Sequence, residues 1–413
     1  MSAAATARRS LWSISALGFA GGLGGGVVFP ILPIVGMTLG IAPAMIGLIL
    51  SLNRITRLAV NPLTGHLVDR FGARWPLILG LLVEGLATVC YVTALRGTHA
   101  TAWFLLGRVL WGVGSSLLMV GSLTAALVVS EDATRGKSAA LVRMALSFGV
   151  PAGLVLGGLV ADLLSARAAF LSASVITFAG MIAAWFMAPR RTARPSSLHR
   201  QPPHPSRTAH AQGLLRCGSL WMIWIFNFIV FFSVQGVILA SLVLIVRDRH
   251  LALPSLGPEG SSGLLMAAML GSSALVSWFA GRWIDRHDRK AALLLPASLC
   301  AVAGFAILAT AHQVGGTVLG LSAIGIGVGG INVPLIVIMG DLVSPDRYGR
   351  AIGMYQVLGD IGGSLGPITG LEAITRFGAT RTLSALALIL LTTVPLAVAL
   401  RRRERHLAHS GAR

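Results

Sequence analysis

The sequence predicts an all-α polytopic membrane protein, with twelve transmembrane helices as two pseudo-symmetric six-helix bundles. Three observations lead there. Of 413 residues 55% are hydrophobic and 11% charged, with a mean hydropathy of +0.80, which leaves too little polar surface for a water-soluble chain of this size. Twelve apolar runs lie near or above the ~20 residues that a helix needs to cross a bilayer; they fall at roughly 11–35, 41–64, 75–95, 101–129, 138–161, 168–188, 218–246, 261–280, 291–311, 314–340, 351–371 and 382–400. A charged stretch between two runs also recurs half a chain later. Gly65, Asp69, Arg70, Gly72 and Arg74 are matched by Gly281, Asp285 and Arg286 with a basic end, at an offset of 216 residues. Arg135-Gly136-Lys137 and Tyr348-Gly349-Arg350 form a second such pair, with glycines 213 residues apart. Repeats of this kind mark two copies of one unit.

The runs are continuously apolar and do not alternate, so they read as helices and not as barrel strands. The chain divides into an N-terminal bundle over 1–188, a linker over 189–217, a C-terminal bundle over 218–400 and a basic tail over 401–413. The linker opens at Pro189-Arg190-Arg191 and is rich in Pro, Ser, Arg and His, a composition that cannot bury a core. His199, His204 and His210 within it are irregularly spaced among prolines, so no metal site is expected.

Lys and Arg set the orientation. Arg8, Arg9, Arg70, Arg74, Arg135, Lys137, the linker arginines, Arg282, Arg286, Arg289, Lys290, Arg347, Arg350 and the tail all fall on one side, and only Arg96, Arg167, Arg247, Arg249, Arg376 and Arg381 on the other. By the positive-inside rule both termini are cytoplasmic, in what is expected to be a multi-pass protein of the plasma membrane. The net charge of +19 then reflects topology and anionic headgroups, and no nucleic-acid partner is implied. Cys90, Cys217 and Cys300 lie at different levels and imply no disulfide framework. Arg8-Arg9 before an apolar run imitates a signal peptide, but the run is too long, so it is read as a retained first helix.

Along the chain, the first run carries Leu23-Gly24 and then Pro30-Ile31-Leu32-Pro33 near its outer end. The glycines admit close packing and the prolines are expected to bend or unwind the last turn. With the loop at 65–74, this resembles the major facilitator superfamily, and the first helix is similar to its twelve-helix drug–proton antiporter branch. The family's loop between helices 2 and 3 reads glycine, three residues, Asp-Arg, one residue, glycine and basic residues; here Ala73 stands where a base is usual.

Helix 2 carries Asn53, Arg54 and Arg57, and helix 3 Glu84. Intramembrane charges cost about 2.5–3.5 kcal/mol each on insertion scales, so they should face protein or water. Arg57 can snorkel to the interface, whereas Arg54 and Glu84 lie about mid-span. Arg108, in Gly107-Arg108-Val109-Leu110-Trp111-Gly112, resembles the family's cavity arginine on helix 4, with Trp111 where a glutamine is usual. Helix 5 carries Arg143 and Gly149-Val150-Pro151-Ala152-Gly153, in which Val150 interrupts the family's Gly-Pro; helix 11 supplies Gly366-Pro367. Asp341 stands eight residues before Gly349, where the family often has an acid, but Val128 occupies the equivalent place in the first half, leaving Glu131 or Asp132 as substitutes.

Gly325-Ile326-Gly327-Val328-Gly329-Gly330 matches a dinucleotide fingerprint only as a string, because no strand precedes it and it lies within a span. With no P-loop, zinc spacing or nucleophile elbow, neither an enzyme nor a cofactor is expected.

The resemblance implies a secondary transporter working by alternating access as a monomer, exporting a small organic compound against protons, with helices 1, 4, 7 and 10 lining the cavity. It thus nominates Arg108, Asn227, Gln235 and Asn332 for substrate. The gating loops would use the paired glycine–aspartate–arginine residues above with Asp341 and Arg350. Asp360, Glu84, Arg54 and Arg143 are the candidates for proton coupling. Intramembrane arginines outnumber the acids, which leaves open an organic anion, in uptake or export, as the alternative, and a flux-less membrane sensor is the reading from another class.

Overall fold

A computed structural model describes residues 3–130, 135–188, 218–287, 289–343 and 347–410. The linker, Glu131, Asp132 and Cys217 lie outside the described residues. Among the described residues every element is helical. Twelve long helices follow in order: α1 Arg9–Thr38, α2 Pro43–Phe71, α3 Arg74–Ala94, α4 Ala100–Val129, α5 Arg135–Leu163, α6 Ala166–Met187, α7 Gly218–Asp248, α8 Pro258–Arg286, α9 Lys290–Thr310, α10 Val314–Leu342, α11 Tyr348–Phe377 and α12 Ala379–Glu404. Eleven of them are long and apolar enough to cross a membrane. The exception is α11, whose glycines, Gln356 and Asp360 dilute its hydropathy. Large apolar side chains such as Leu63, Phe186, Leu275 and Leu388 stand exposed on the spans, as lipid-facing residues do and as the surface of a soluble protein does not.

Several helices outrun the apolar runs that announced them. The 29 residues of α2 rise about 43 Å, which crosses the headgroup zone as well as the hydrocarbon. Gly65 to Arg70 are therefore the last turns of α2, and the inter-helix loop shrinks to Gly72 and Ala73. Gly72 ends the helix at φ +75°, a conformation that costs a side-chain-bearing residue far more than glycine. In α1 the break falls at Val27, and Pro30 and Pro33 sit inside the helical stretch that follows. Pro30 has no N–H to offer the carbonyl four residues back, so the interruption lies one turn before the proline and not at the exit.

The chain forms two compact units, one of Met1–Leu198 with Ala252–Ala267 and one of His199–Leu251 with Ala268–Arg413. In the first, α1 packs along α5, α3 along α4 and α6, and α2 along α4. Gly22 and Gly26 face Gly149 and Gly153, each pair at four-residue spacing, so the backbones nearly touch, while Gly18 meets the Leu146 side chain and Gly157 meets Val27. A Cβ on Gly26 would stand 2.7 Å from the Leu154 nitrogen and one on Gly149 2.8 Å from that of Leu23. Such seams replace the hydrophobic drive that a bilayer removes between helices. The first turns of α8 also belong to this unit, where the Gly260 N–H donates to Asp162 Oδ2 at 2.7 Å.

The second unit repeats the pairing, α7 with α11 and α9 with both α10 and α12. Gly362 and Gly366 of α11 lie against Phe228, Phe232 and Gly236 of α7. Gly325 and Gly329 of α10 face α8, while Gly327 and Gly330 face α9, so the glycine string is a two-sided packing seam. Phe231–Ile238 of α7 forms a π-helical stretch, the kind of widened turn often found where a helix carries function.

Arg249, just beyond α7, donates to the carbonyls of Leu308, Ala309 and Ala311 at the end of α9 and to Thr380 Oγ1 of α12, all at 2.8–2.9 Å. Partial burial lowers its pKa, but a guanidinium stays charged in proteins. A cation so placed answers the orphan carbonyls and the negative end of the α9 dipole. Arg249→Ala is expected to cost up to about 2 kcal/mol, seen as a lower Tm of the purified protein. An unchanged Tm would deny the clamp.

Candidate functional site

The first unit holds a buried polar array on α2, α3 and α4. Arg108 is fully buried. Its Nε donates to the Ile49 carbonyl at 3.1 Å, and one Nη donates to Leu50 O at 2.7 Å and to Asn53 Oδ1 at 3.0 Å. The other Nη is buried with no hydrogen-bond partner. The guanidinium lies 5.8 Å over the Phe29 ring. Two turns further along, Ser116 donates to Asn61 Oδ1 at 2.7 Å and shares a 2.9 Å hydrogen bond with Thr64. Both cross-links, Arg108 to Asn53 and Ser116 to Asn61, span 55 residues, as parallel helices held in one register require. Gly112 lies between them, where a Cβ would stand 2.8 Å from the Asn53 carbonyl. Trp111, the departure from the family's glutamine, lays its indole over Gly24 and Gly25 of α1.

The planar fork of Arg108 spans three acceptors spread over Ile49, Leu50 and Asn53, which the compact ammonium of a lysine does not cover in one geometry. Arg108→Lys is therefore expected to lower the Tm by an amount corresponding to about 1.5–3 kcal/mol, the worth of a hydrogen bond to a charged group. Thermal unfolding of the purified variant checks this, and an unchanged Tm would remove the strut between α2 and α4.

Glu84 sits halfway along α3 and is 1% exposed. Its Oε2 is buried with no hydrogen-bond partner. Its walls come from neighbouring helices: a Cβ on Gly21 of α1 would stand 2.7 Å from Oε2, and one on Gly114 of α4 2.7 Å from its Cγ. Two turns along α3 from Glu84, buried Tyr91 packs beside Gly107 and Arg108. The unit thus brings Tyr91, Arg108 and Asn53 together, with Glu84 about 10 Å away along α3. Arg54 is half-buried, and Arg143 stands exposed eight residues into α5.

At the end of α2, Arg70 lies over the Phe71 ring and Gly65 has open space around it; the side chain of Asp69 lies outside the described residues. Arg74 donates to the Trp185 carbonyl at 2.7 Å, which ties α3 to the end of α6.

In the second unit Asn227 of α7 is buried and donates to the Tyr355 carbonyl of α11 at 2.8 Å, with its Oδ1 unpartnered. Gly359 leaves room for it, since a Cβ there would lie 2.7 Å from its Nδ2. Asp360, next in the chain, is 6% exposed and has an interaction partner. Gln235 is half-buried in the π-helical stretch, and half-buried Asn332 has an unpartnered Oδ1. Asp341 pairs with Lys290 at 2.6 Å, the acid exposed and the lysine half-buried, while Asp285, Arg286 and Arg350 are exposed and Gly281 has open space around it. Sequence reasoning named Glu84, Arg108 and Asn227 but missed Tyr91, Ser116 and Asn61, because hydroxyls and amides inside apolar runs carry no signal of their partners.

A model of the Major Facilitator Superfamily matches residues 14–367 and again 252–411. The chain belongs to the Major Facilitator Superfamily. Among curated relatives, this superfamily member is 28% identical to "Multidrug efflux protein YfmO" of Bacillus subtilis (strain 168) over 183 residues, 44% of each chain. It is 27% identical to "Multidrug resistance protein 2" of the same organism over 165 residues, 40% of each. The matched stretches thus span less than half the length of these relatives. Among solved structures, a bacterial homolog to the human lysosomal transporter Spinster, inward-facing and unoccupied, superposes with TM-score 0.78 at 13% identity, over 96% of this chain and 97% of that one. The chain therefore has the superfamily's fold and is a multi-pass membrane protein.

Proposed function

We propose that this superfamily member is a secondary transporter that exports a small organic compound in exchange for protons by alternating access, in a plasma membrane with both termini cytoplasmic. The observation that carries the reading is Glu84, a carboxyl at mid-span whose Oε2 is buried without a protein partner. Charged and neutral forms of such an acid need different surroundings, so a proton gained or lost there alters the packing of α1, α3 and α4. Coupling of this kind needs an acid that is not locked into a permanent ion pair. The names of the Bacillus subtilis relatives support efflux.

Asp360, buried on α11, is the rival proton carrier. Arg143, which lies inside a span with no ion pair among the described residues, favours a second reading in which the compound is an organic anion.

The test is flux in inverted membrane vesicles acidified inside, with cationic, neutral and anionic compounds. The expected result is accumulation that a protonophore collapses. Movement of compound and protons in the same direction would mean uptake, and no flux for any compound would favour a sensor.

A further inference from the structure

A cavity of about 440 Å³ lies wholly within the second unit, between α7, α11 and α12. Phe232 and Val237 of α7, Ala373 of α11, and Ala385 and Ile389 of α12 give it apolar walls, and Arg381 stands at its end by the turn between α11 and α12. The cavity's threonines offer little to a ligand: Thr382 Oγ1 donates to the Gly378 carbonyl and Thr369 Oγ1 to that of Leu365, each within its own helix.

Arg381 is therefore the polar group that an occupant meets. It is exposed and has no ion pair or hydrogen bond among the described residues, whereas the basic residues around the same end are engaged. Arg376 pairs with Glu372, Arg247 with Asp248, and Arg249 clamps the end of α9. From Arg381 to Ile389 the cavity follows α12 for eight residues, about 12 Å at the α-helical rise. It thus begins two residues into α12 and runs inward along that span. Phe377 in its lining is 61% exposed, and Leu388, next to lining residue Ile389 on α12, is 66% exposed.

We propose that this cleft holds a membrane lipid with an anionic headgroup, its phosphate on the Arg381 guanidinium and an acyl chain along the walls of α7, α11 and α12. The charge decides the headgroup, because a guanidinium fork binds a phosphate bidentately and the cleft has no acid to pair with the ammonium of a zwitterionic lipid. The apolar length decides the source, because inorganic phosphate gains nothing from about 12 Å of hydrocarbon-lined wall. The site lies apart from the Glu84 array and does not depend on the transport reading.

Native mass spectrometry of the full chain, released from nanodiscs of phosphatidylcholine with a minor share of phosphatidylglycerol, tests it. The wild-type chain should retain phosphatidylglycerol in excess over its share. In Arg381→Gln that preference should fall at least about tenfold, as loss of a charge-assisted contact implies, while phosphatidylcholine is still retained. Ala385→Phe, which fills the cleft, should abolish retention of both. Arg96→Gln, on the first unit, should leave retention unchanged, and near wild-type Tm values show that the variants fold. Equal phosphatidylglycerol retention by wild type, Arg381→Gln and Ala385→Phe would overturn the proposal, as would its displacement by inorganic phosphate.

Discussion

Glu84→Gln is expected to bind and exchange substrate while failing to accumulate it against a gradient. Glutamine keeps the shape and the hydrogen-bonding capacity of the protonated acid but cannot release a proton, so the cycle loses its coupling and keeps its pathway. The fold should survive, because the substitution places a neutral group where a buried carboxyl oxygen has no partner, and burying an unpaired charge is the costlier arrangement. In proteoliposomes, counterflow should therefore remain near wild type while accumulation driven by a pH gradient collapses to equilibration. Preserved accumulation in Glu84→Gln, together with its loss in Asp360→Asn, would move the proton site from α3 to α11. Loss of counterflow as well would make Glu84 a substrate contact.

Gly153→Ala is expected to be the most damaging single methyl in the first unit. A Cβ there would meet the backbone carbonyl of Leu23 within the α1–α5 seam, and a backbone cannot step aside as a side chain can. Overpacking of this kind typically costs about 1–3 kcal/mol, which should appear as a lower Tm and a poorer yield of monodisperse protein. Gly271→Ala in α8 has nothing within 4 Å of the added methyl and should gain up to about 1 kcal/mol from helix propensity. The same chemical change thus carries opposite signs at the two positions. Equal Tm values for both variants would mean that the seam yields freely.

Much of the architecture could be read from the sequence because a bilayer imposes a one-dimensional rule: each crossing needs about 20 apolar residues whatever they later touch. The twelve helices follow from it, and the half-chain repeat shows separately in the charged stretches at Gly65 and Gly281. Hydropathy nevertheless measures the hydrocarbon and not the helix, so the turns from Gly65 to Phe71 read as a loop when they are the end of α2. Glu84 stood out because an acid in the middle of an apolar run is conspicuous by itself. Its lack of a partner did not, since that depends on Gly21 and Gly114 closing the space from two other helices.

By itself, then, the sequence determined the properties that belong to single segments: helical class, number of crossings, internal duplication, and the depth of Glu84, Arg108 and Asp360. Tertiary structure alone decided which groups meet. It set Arg108 on the carbonyls of α2, laid Trp111 over Gly24 and Gly25, turned Arg249 from one more basic residue beyond a helix end into a clamp on α9, and left Arg381 as the unpaired cation of an apolar cleft. The physical reason is that hydropathy sums over neighbours in the chain, whereas hydrogen bonds, glycine seams and ion pairs depend on the register between helices far apart in it, and changing that register re-pairs the residues while leaving each segment's hydropathy unchanged.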